Sequence, residues 1–168
     1  MASTLPAWLL LCAVAAERAI ELPIANRNTA ALKARGAVEL GASHYPAIVI
    51  VHVAWLLALA AWIWWTKPSL SVLWTSLFLT VEILRVWVMI SLGRYWTTRI
   101  ITLPGAPLVR RGPYRFMRHP NYAVVVAEIA ILPLALHAPV IAAVFSLANA
   151  IVLVIRVRVE KEALKARS

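Results

Sequence analysis

Residues 110 to 122 read Arg-Arg-Gly-Pro-Tyr-Arg-Phe-Met-Arg-His-Pro-Asn-Tyr, a polar cassette set between long apolar runs in a chain of 168 residues that is 62% hydrophobic. Polar and ionisable groups are costly to hold at a membrane boundary, so a cluster this dense reads as a site. Its chemistry is that of anion recognition. Arg110, Arg111, Arg115 and Arg118 suit anionic headgroups, and Pro120, near the start of an apolar run, leaves neighbouring backbone amides available to a carboxylate. Further along, Arg156 and Glu160 stand one helical turn apart and can project to the same side of a tail helix.

Other polar residues lie inside apolar runs. Glu82 and Arg85 are three apart, on one helical face, and fit either mutual neutralisation inside a bundle or a substrate site. Glu128 has no partner nearby in sequence and must face the bundle or a cavity. His52 is expected to be a hydrogen-bonded core histidine. The five glycines, at 36, 41, 93, 105 and 112, make no Gly-x-Gly-x-x-Gly fingerprint, so any nucleotide-like ligand must be held by helix ends and short loops. The stretch from Leu103 to Pro120 is such a loop.

The elements that position these residues follow from hydropathy. A mean hydropathy of +0.80 and eight Trp give more apolar surface than one soluble domain can bury. The expectation is a single all-α membrane domain over residues 1–168 with about five transmembrane helices. The first begins in the uncharged segment Met1 to Ala16 and runs to about Ile24, with Glu17, Arg18 and Glu21 facing protein or the interface. A signal peptide is the rival reading there, but the segment has no Lys or Arg before its apolar core. Tyr45 to Thr66 is the clearest span, 22 uncharged residues ending in Trp62, Trp64 and Trp65, which suit a headgroup belt. Ser69 to Leu92, Asn121 to Leu136 and Pro139 to Ile155 complete the set, the last two as a hairpin turned at Pro139. Cys12 is the only cysteine. Disulfide and cysteine–zinc frameworks are therefore excluded, and Cys12 is expected to pack. No metal site is expected.

The net charge of +10 does not indicate nucleic acid, because the basic residues occupy breaks between apolar runs. Of 17 Lys and Arg, 4 lie in residues 17 to 44, 6 in 93 to 121 and 5 in 156 to 168, leaving only Lys67 and Arg85. Those segments follow spans one, three and five, so one compartment receives them all, and the positive-inside rule makes it the cytoplasm. The N-terminus is expected outside and the C-terminus cytoplasmic, in a bacterial inner membrane.

Gly112-Pro113-Tyr114 and Arg118-His119-Pro120-Asn121-Tyr122 resemble the signature of the isoprenylcysteine carboxyl methyltransferase family, integral membrane enzymes that use S-adenosylmethionine. The resemblance implies cofactor contacts from Leu108, Val109, Tyr114, His119, Pro120, Asn121 and Tyr122, and from Glu160 in an Arg-x-x-x-Glu pattern whose Arg156 faces the substrate. Many family members carry Glu-Glu where this chain has Glu160-Lys161, which leaves Glu162 as an alternative to Glu160. A sulfonium with an amino-acid tail wants an aromatic wall, a carboxylate and donors, and Tyr114, Tyr122, Glu160, His119 and Arg118 supply that set.

The polar first loop, from Glu17 through Asn26-Arg27-Asn28 to Gly36–Pro46, is similar to a bacterial branch that methylates the hydroxyl of alkylpyrones and alkylresorcinols. That resemblance implies an O-methyltransferase acting on an amphiphile whose tail lies in the bilayer, with S-adenosylhomocysteine as product. Arg156, Glu82, Arg85 and His44 are the expected substrate-side residues, and His44, His119 and Glu82 the candidate bases. A prenylcysteine carboxyl methyltransferase or a methyltransferase of another lipid stays open within the class. A non-catalytic lipid-binding or transport protein would have no use for Tyr114, His119, Tyr122 and Glu160 together.

Overall fold

In the computed structural model, which describes residues 4–106 and 109–165 and, within them, the side chains of all but His44 and residues 161–165, the chain is built on five α-helices. They are α1 (Leu5–Lys33), α2 (Tyr45–Thr66), α3 (Val72–Leu92), α4 (Pro120–Ala135) and α5 (Pro139–Lys165). The all-α membrane class holds. Three of the described helices are long and apolar enough to cross a bilayer, over Tyr45–Thr66, Val72–Tyr95 and Pro139–Glu160. α4 is shorter at 16 residues, a rise of about 24 Å against a hydrocarbon core of about 30 Å.

α1 departs from expectation. It does not stop near Ile24 but continues through Pro23 for 29 residues, so Asn26, Arg27 and Asn28 are helical rather than part of a loop. Pro23 costs one backbone bond there, and buried Glu21, Ala25, Thr29 and Leu32 hold the rest of the helix against the bundle. A short antiparallel pair was also unforeseen: β1 (Val38–Leu40) and β2 (Ile100–Thr102) join in the register Val38↔Thr102, Glu39↔Ile101, Leu40↔Ile100.

Helices α3 and α4, α4 and α5, α2 and α5, and α1 and α2 pack as neighbours. The interior is stratified. At the end holding the α2–α3 and α4–α5 turns lies an apolar core of Leu11, Trp55, Leu59, Ile63, Phe78, Leu132 and Leu136. The turns are closed by backbone accounting: the Ser71 amide donates to the Ala135 carbonyl at 3.0 Å and Trp62 Nε1 to the Leu136 carbonyl at 2.9 Å. These bonds satisfy carbonyls that the end of α4 leaves unpaired. Of the three Trp expected in a headgroup belt, Trp64 and Trp65 point outward, 68% and 78% exposed, whereas Trp62 packs against the apolar core. Cys12 is exposed as well, so it does not pack as expected.

The middle layer is ionic. Arg85 of α3 donates from Nε to Glu21 Oε1 at 2.5 Å and from Nη1 to Glu128 Oε1 at 3.1 Å. Arg18 donates to Glu128 Oε2 at 2.8 Å and lies 3.7 Å from Glu82. α1 is thus tied to α3 and α4 by charge, and a groove of about 370 Å³ lined by Ala13, Ile20, Ile24, Val86, Met89 and Ile90 remains between α1 and α3. The basic loops, β1, β2 and the C-terminal turns of α5 form the third layer.

Candidate active site

The site is assembled where α4 begins and α5 nears its end. His119 precedes α4 with φ −131° and ψ 58°, and Pro120 takes the first helical position, where a missing N–H costs nothing. The amides of Tyr122 and Ala123 bond back to the His119 carbonyl. This helix start therefore offers an incoming anion fewer donors than its sequence suggests.

Side chains supply the rest. Tyr122 donates its hydroxyl proton to Glu160 Oε2 at 2.5 Å, and the same hydroxyl oxygen accepts from Arg156 Nε at 3.0 Å. His119 Nδ1 stands 3.6 Å from Glu160 Oε2, and its ring stacks on Tyr122 with centroids 5.2 Å apart and planes 12° from parallel. The Arg156 guanidinium carbon lies 5.6 Å from the Tyr122 ring centroid, and Arg156 Nη2 donates to the Thr98 carbonyl at 2.9 Å. His119, Tyr122, Arg156 and Glu160, expected to converge from two distant segments, do converge. Among the described residues, Glu160 Oε1 and Arg156 Nη1 have no hydrogen-bond partner, so each can still receive or give one to a ligand.

The loop before α4 is seated by a glycine and an arginine. Gly112 has φ +55°, and a Cβ there would come within 2.0 Å of Ser91 Oγ, so backbone geometry and close approach to α3 both require glycine. Arg111 Nε donates to the Ser91 carbonyl at 2.7 Å, which gives it a structural role beyond that of a lipid anchor. Tyr114 then lies over Val81, Val88 and Val124. Burial, followed by the nearby Glu160 carboxylate, pushes its titration upward and keeps it a neutral phenol. Val109 and Asn121 are partly buried in this layer and Pro120 is buried, while Arg115 and Arg118 are exposed. Leu108 lies outside the described residues, as do the side chains of His44 and Glu162.

Glu82 and Arg85 belong to another cluster. Their spacing allows them to neutralise each other, but Arg85 takes Glu21 and Glu128 instead, and Glu82 approaches Arg18. Both Glu82 oxygens are buried with no hydrogen-bond partner among the described residues. Glu128 is 3% exposed and faces the bundle as expected, and His52 satisfies its Nδ1 on the Ile48 carbonyl at 2.8 Å. What the sequence reading missed is Thr98, whose contribution to Arg156 is a backbone carbonyl and leaves no residue-type signal. It also missed the reach of Arg18 and Glu21, whose spacing of three on α1 was visible although their partners were not.

A membrane-embedded helical chain with an Arg-x-x-x-Glu tail returned against a His-Pro-x-Tyr helix start defines a class, and comparison with known proteins places it. The chain belongs to the isoprenylcysteine carboxyl methyltransferase (ICMT) family, whose match covers residues 73–166, and it is thereby assigned to a family of membrane methyltransferases. Among curated proteins it is similar to the uncharacterized protein YpbQ of Bacillus subtilis (strain 168), 42% identical over 94% of this chain and 96% of that one. It is also similar to an uncharacterized protein of Haemophilus influenzae, 31% identical over 90% of each. No solved structure matches.

Proposed function

We propose that the protein is an S-adenosylmethionine-dependent O-methyltransferase whose acceptor is a membrane amphiphile with an enol, phenol or carboxylate head, of the alkylpyrone or alkylresorcinol type. The observation that carries this reading is the joining of Tyr122, Glu160, Arg156 and His119 into one hydrogen-bonded and stacked unit at the basic end of the bundle. In this reading that end faces the cytoplasm, where the sulfonium metabolite is made.

The donor set fits the cofactor chemically. Glu160 Oε1 would take its ammonium or ribose hydroxyls, the stacked His119 and Tyr122 rings would face its cation, and Tyr114, held neutral, would donate. When bound, the sulfonium supplies an electrophilic methyl carbon. The acceptor oxygen forms the new C–O bond as the C–S bond breaks, the electron pair stays on sulfur, and S-adenosylhomocysteine leaves. A carboxylate or ionised enol has no proton to lose, whereas a neutral phenol must give one to solvent or to His119.

The chain's own residues mainly orient. Arg156 is held at Nε by Tyr122 and at Nη2 by Thr98. Its Nη1 is left to fix an anionic acceptor oxygen in line with the reacting bond, without cancelling the charge that attacks.

Purified protein incubated with radiolabelled S-adenosylmethionine and either a long-chain alkylresorcinol, an alkylpyrone or a farnesylcysteine tests this. Label in either of the first two supports the reading. Label in farnesylcysteine alone moves the acceptor to a prenylcysteine carboxylate, and no label together with no S-adenosylhomocysteine binding defeats the reading.

A further inference from the structure

The only hydrogen-bonding anchor of the Arg156 side chain outside α4 and α5, among the described residues, is the Thr98 carbonyl, 2.9 Å from Nη2. Thr98 lies in a connecting segment with no helix or strand of its own, so something else must fix the direction of that carbonyl. The Thr98 hydroxyl is 3.1 Å from the hydroxyl of Tyr45, the first residue of α2. Tyr45 is itself held: the Arg99 guanidinium carbon stands 4.5 Å from its ring centroid, and Arg99 Nη1 is anchored on Glu39 Oε1 at 2.5 Å. Glu39 also takes Lys33 from the end of α1, while the β1–β2 ladder fixes the backbone on both sides.

We propose that Tyr45 is a positioning residue for methyl transfer, acting through Thr98 on the guanidinium of Arg156. The inference rests on the reading of Arg156 given above and extends it to a segment that precedes the family-matched residues 73–166. The alternative role for Tyr45 is packing alone, which a phenylalanine would fulfil equally well. The two differ in one atom. Without its hydroxyl, Thr98 loses the bond that sets its peptide plane, Arg156 keeps only Tyr122, and a planar fork held at one point can swing. A displacement of about 1 Å at an orienting group is enough to lower turnover substantially while leaving binding of the other substrate intact.

The test uses the full chain in lipid nanodiscs with S-adenosylmethionine and a long-chain alkylresorcinol. Y45F and, from the other side of the same bond, Thr98→Val should each lower kcat at least about fivefold, with unchanged S-adenosylhomocysteine affinity and melting temperature. The double variant should be no worse than either single one, and Y45F should add nothing in an Arg156→Lys background, because those groups act as a unit. Y45F turnover within twofold of wild type, or an equal loss with and without the Arg156→Lys substitution, would overturn the proposal. The Arg156 guanidinium NMR resonance gives a readout independent of activity. Broadening or a shift in Y45F supports the positioning role even if no methyl is transferred, in which case the reaction assignment fails and not this contact. An unchanged resonance overturns the contact's role.

Discussion

The Tyr122 hydroxyl is shared between Glu160, to which it donates, and Arg156, from which it accepts. One phenol thereby couples the two halves of the Arg-x-x-x-Glu pattern and fixes both to the first turn of α4. Tyr122→Phe should release both together. The expected result is weaker S-adenosylhomocysteine binding by about 1 to 3 kcal/mol, the scale for a hydrogen bond to a charged group, and lower turnover in the same variant. Calorimetry on the folded variant checks the first and the labelling assay the second.

Glu160→Ala and His119→Ala should each weaken S-adenosylhomocysteine binding by about 1 to 3 kcal/mol, while Arg110→Ala, on an exposed side chain, should change it little. Unchanged affinity in both of the first two would remove the proposed cofactor contacts.

The ionic layer makes a sharp contrast available. Arg85→Ala leaves the buried Glu21 and Glu128 carboxylates to share Arg18 alone, and breaking a buried pair in this way costs about 3 to 5 kcal/mol. Glu82→Gln replaces a carboxyl whose oxygens accept no hydrogen bond among the described residues with a neutral group of the same shape. It should be neutral or slightly stabilising. Thermal unfolding in detergent distinguishes the two.

Gly112→Ala places a Cβ 2.0 Å from Ser91 Oγ at a residue with φ +55°, so the cassette cannot seat as it does now. The left-handed backbone alone costs about 1 to 2 kcal/mol. Adding Ser91→Ala should recover only part of the loss in melting temperature, because the backbone strain and the contact with Trp87 remain.

The Lys33 ammonium, and next the Arg99 guanidinium, hold Glu39 below the ordinary carboxylate range. Its folded pKa is therefore lower than its unfolded one. The stability it contributes is fully present above about pH 4.5, and it is lost as pH falls through the folded value. Amide protection factors in residues 38–40 and 100–102, which normalise exchange by its chemical rate, should fall on acidification below that point, and Glu39→Gln should abolish that fall.

Much of this was legible beforehand for identifiable reasons. α2 coincides with the apolar run Tyr45 to Thr66 because nothing polar interrupts it except His52, which satisfies itself on its own helix. α1 runs longer than its sequence suggests because Pro23, Asn26 and Asn28 look like breakers, whereas the Asn28 side chain is consumed in bonds to the Gly93 and Trp96 carbonyls. Three-residue strands carry no usable period, so β1 and β2 were invisible. His119, Tyr122, Arg156 and Glu160 were found through the resemblance of their motifs. Tyr45 and Thr98 escaped because their link to Arg156 passes through a peptide carbonyl.

The charges on α1 also impose an order on biosynthesis. Glu21 is made 64 residues before Arg85, and Arg18 is made 110 residues before Glu128. When α1 leaves the ribosome it can neutralise Arg18 against Glu21 alone, and the carboxylate of Glu17, which in the finished bundle lies near Arg85, has no counter-ion yet. Its final seat exists only after α3 has entered the bilayer and is complete only after α4. α1 is thus translated well before its seat exists, and it reaches its final ion pairs only once α3 and α4 have been made.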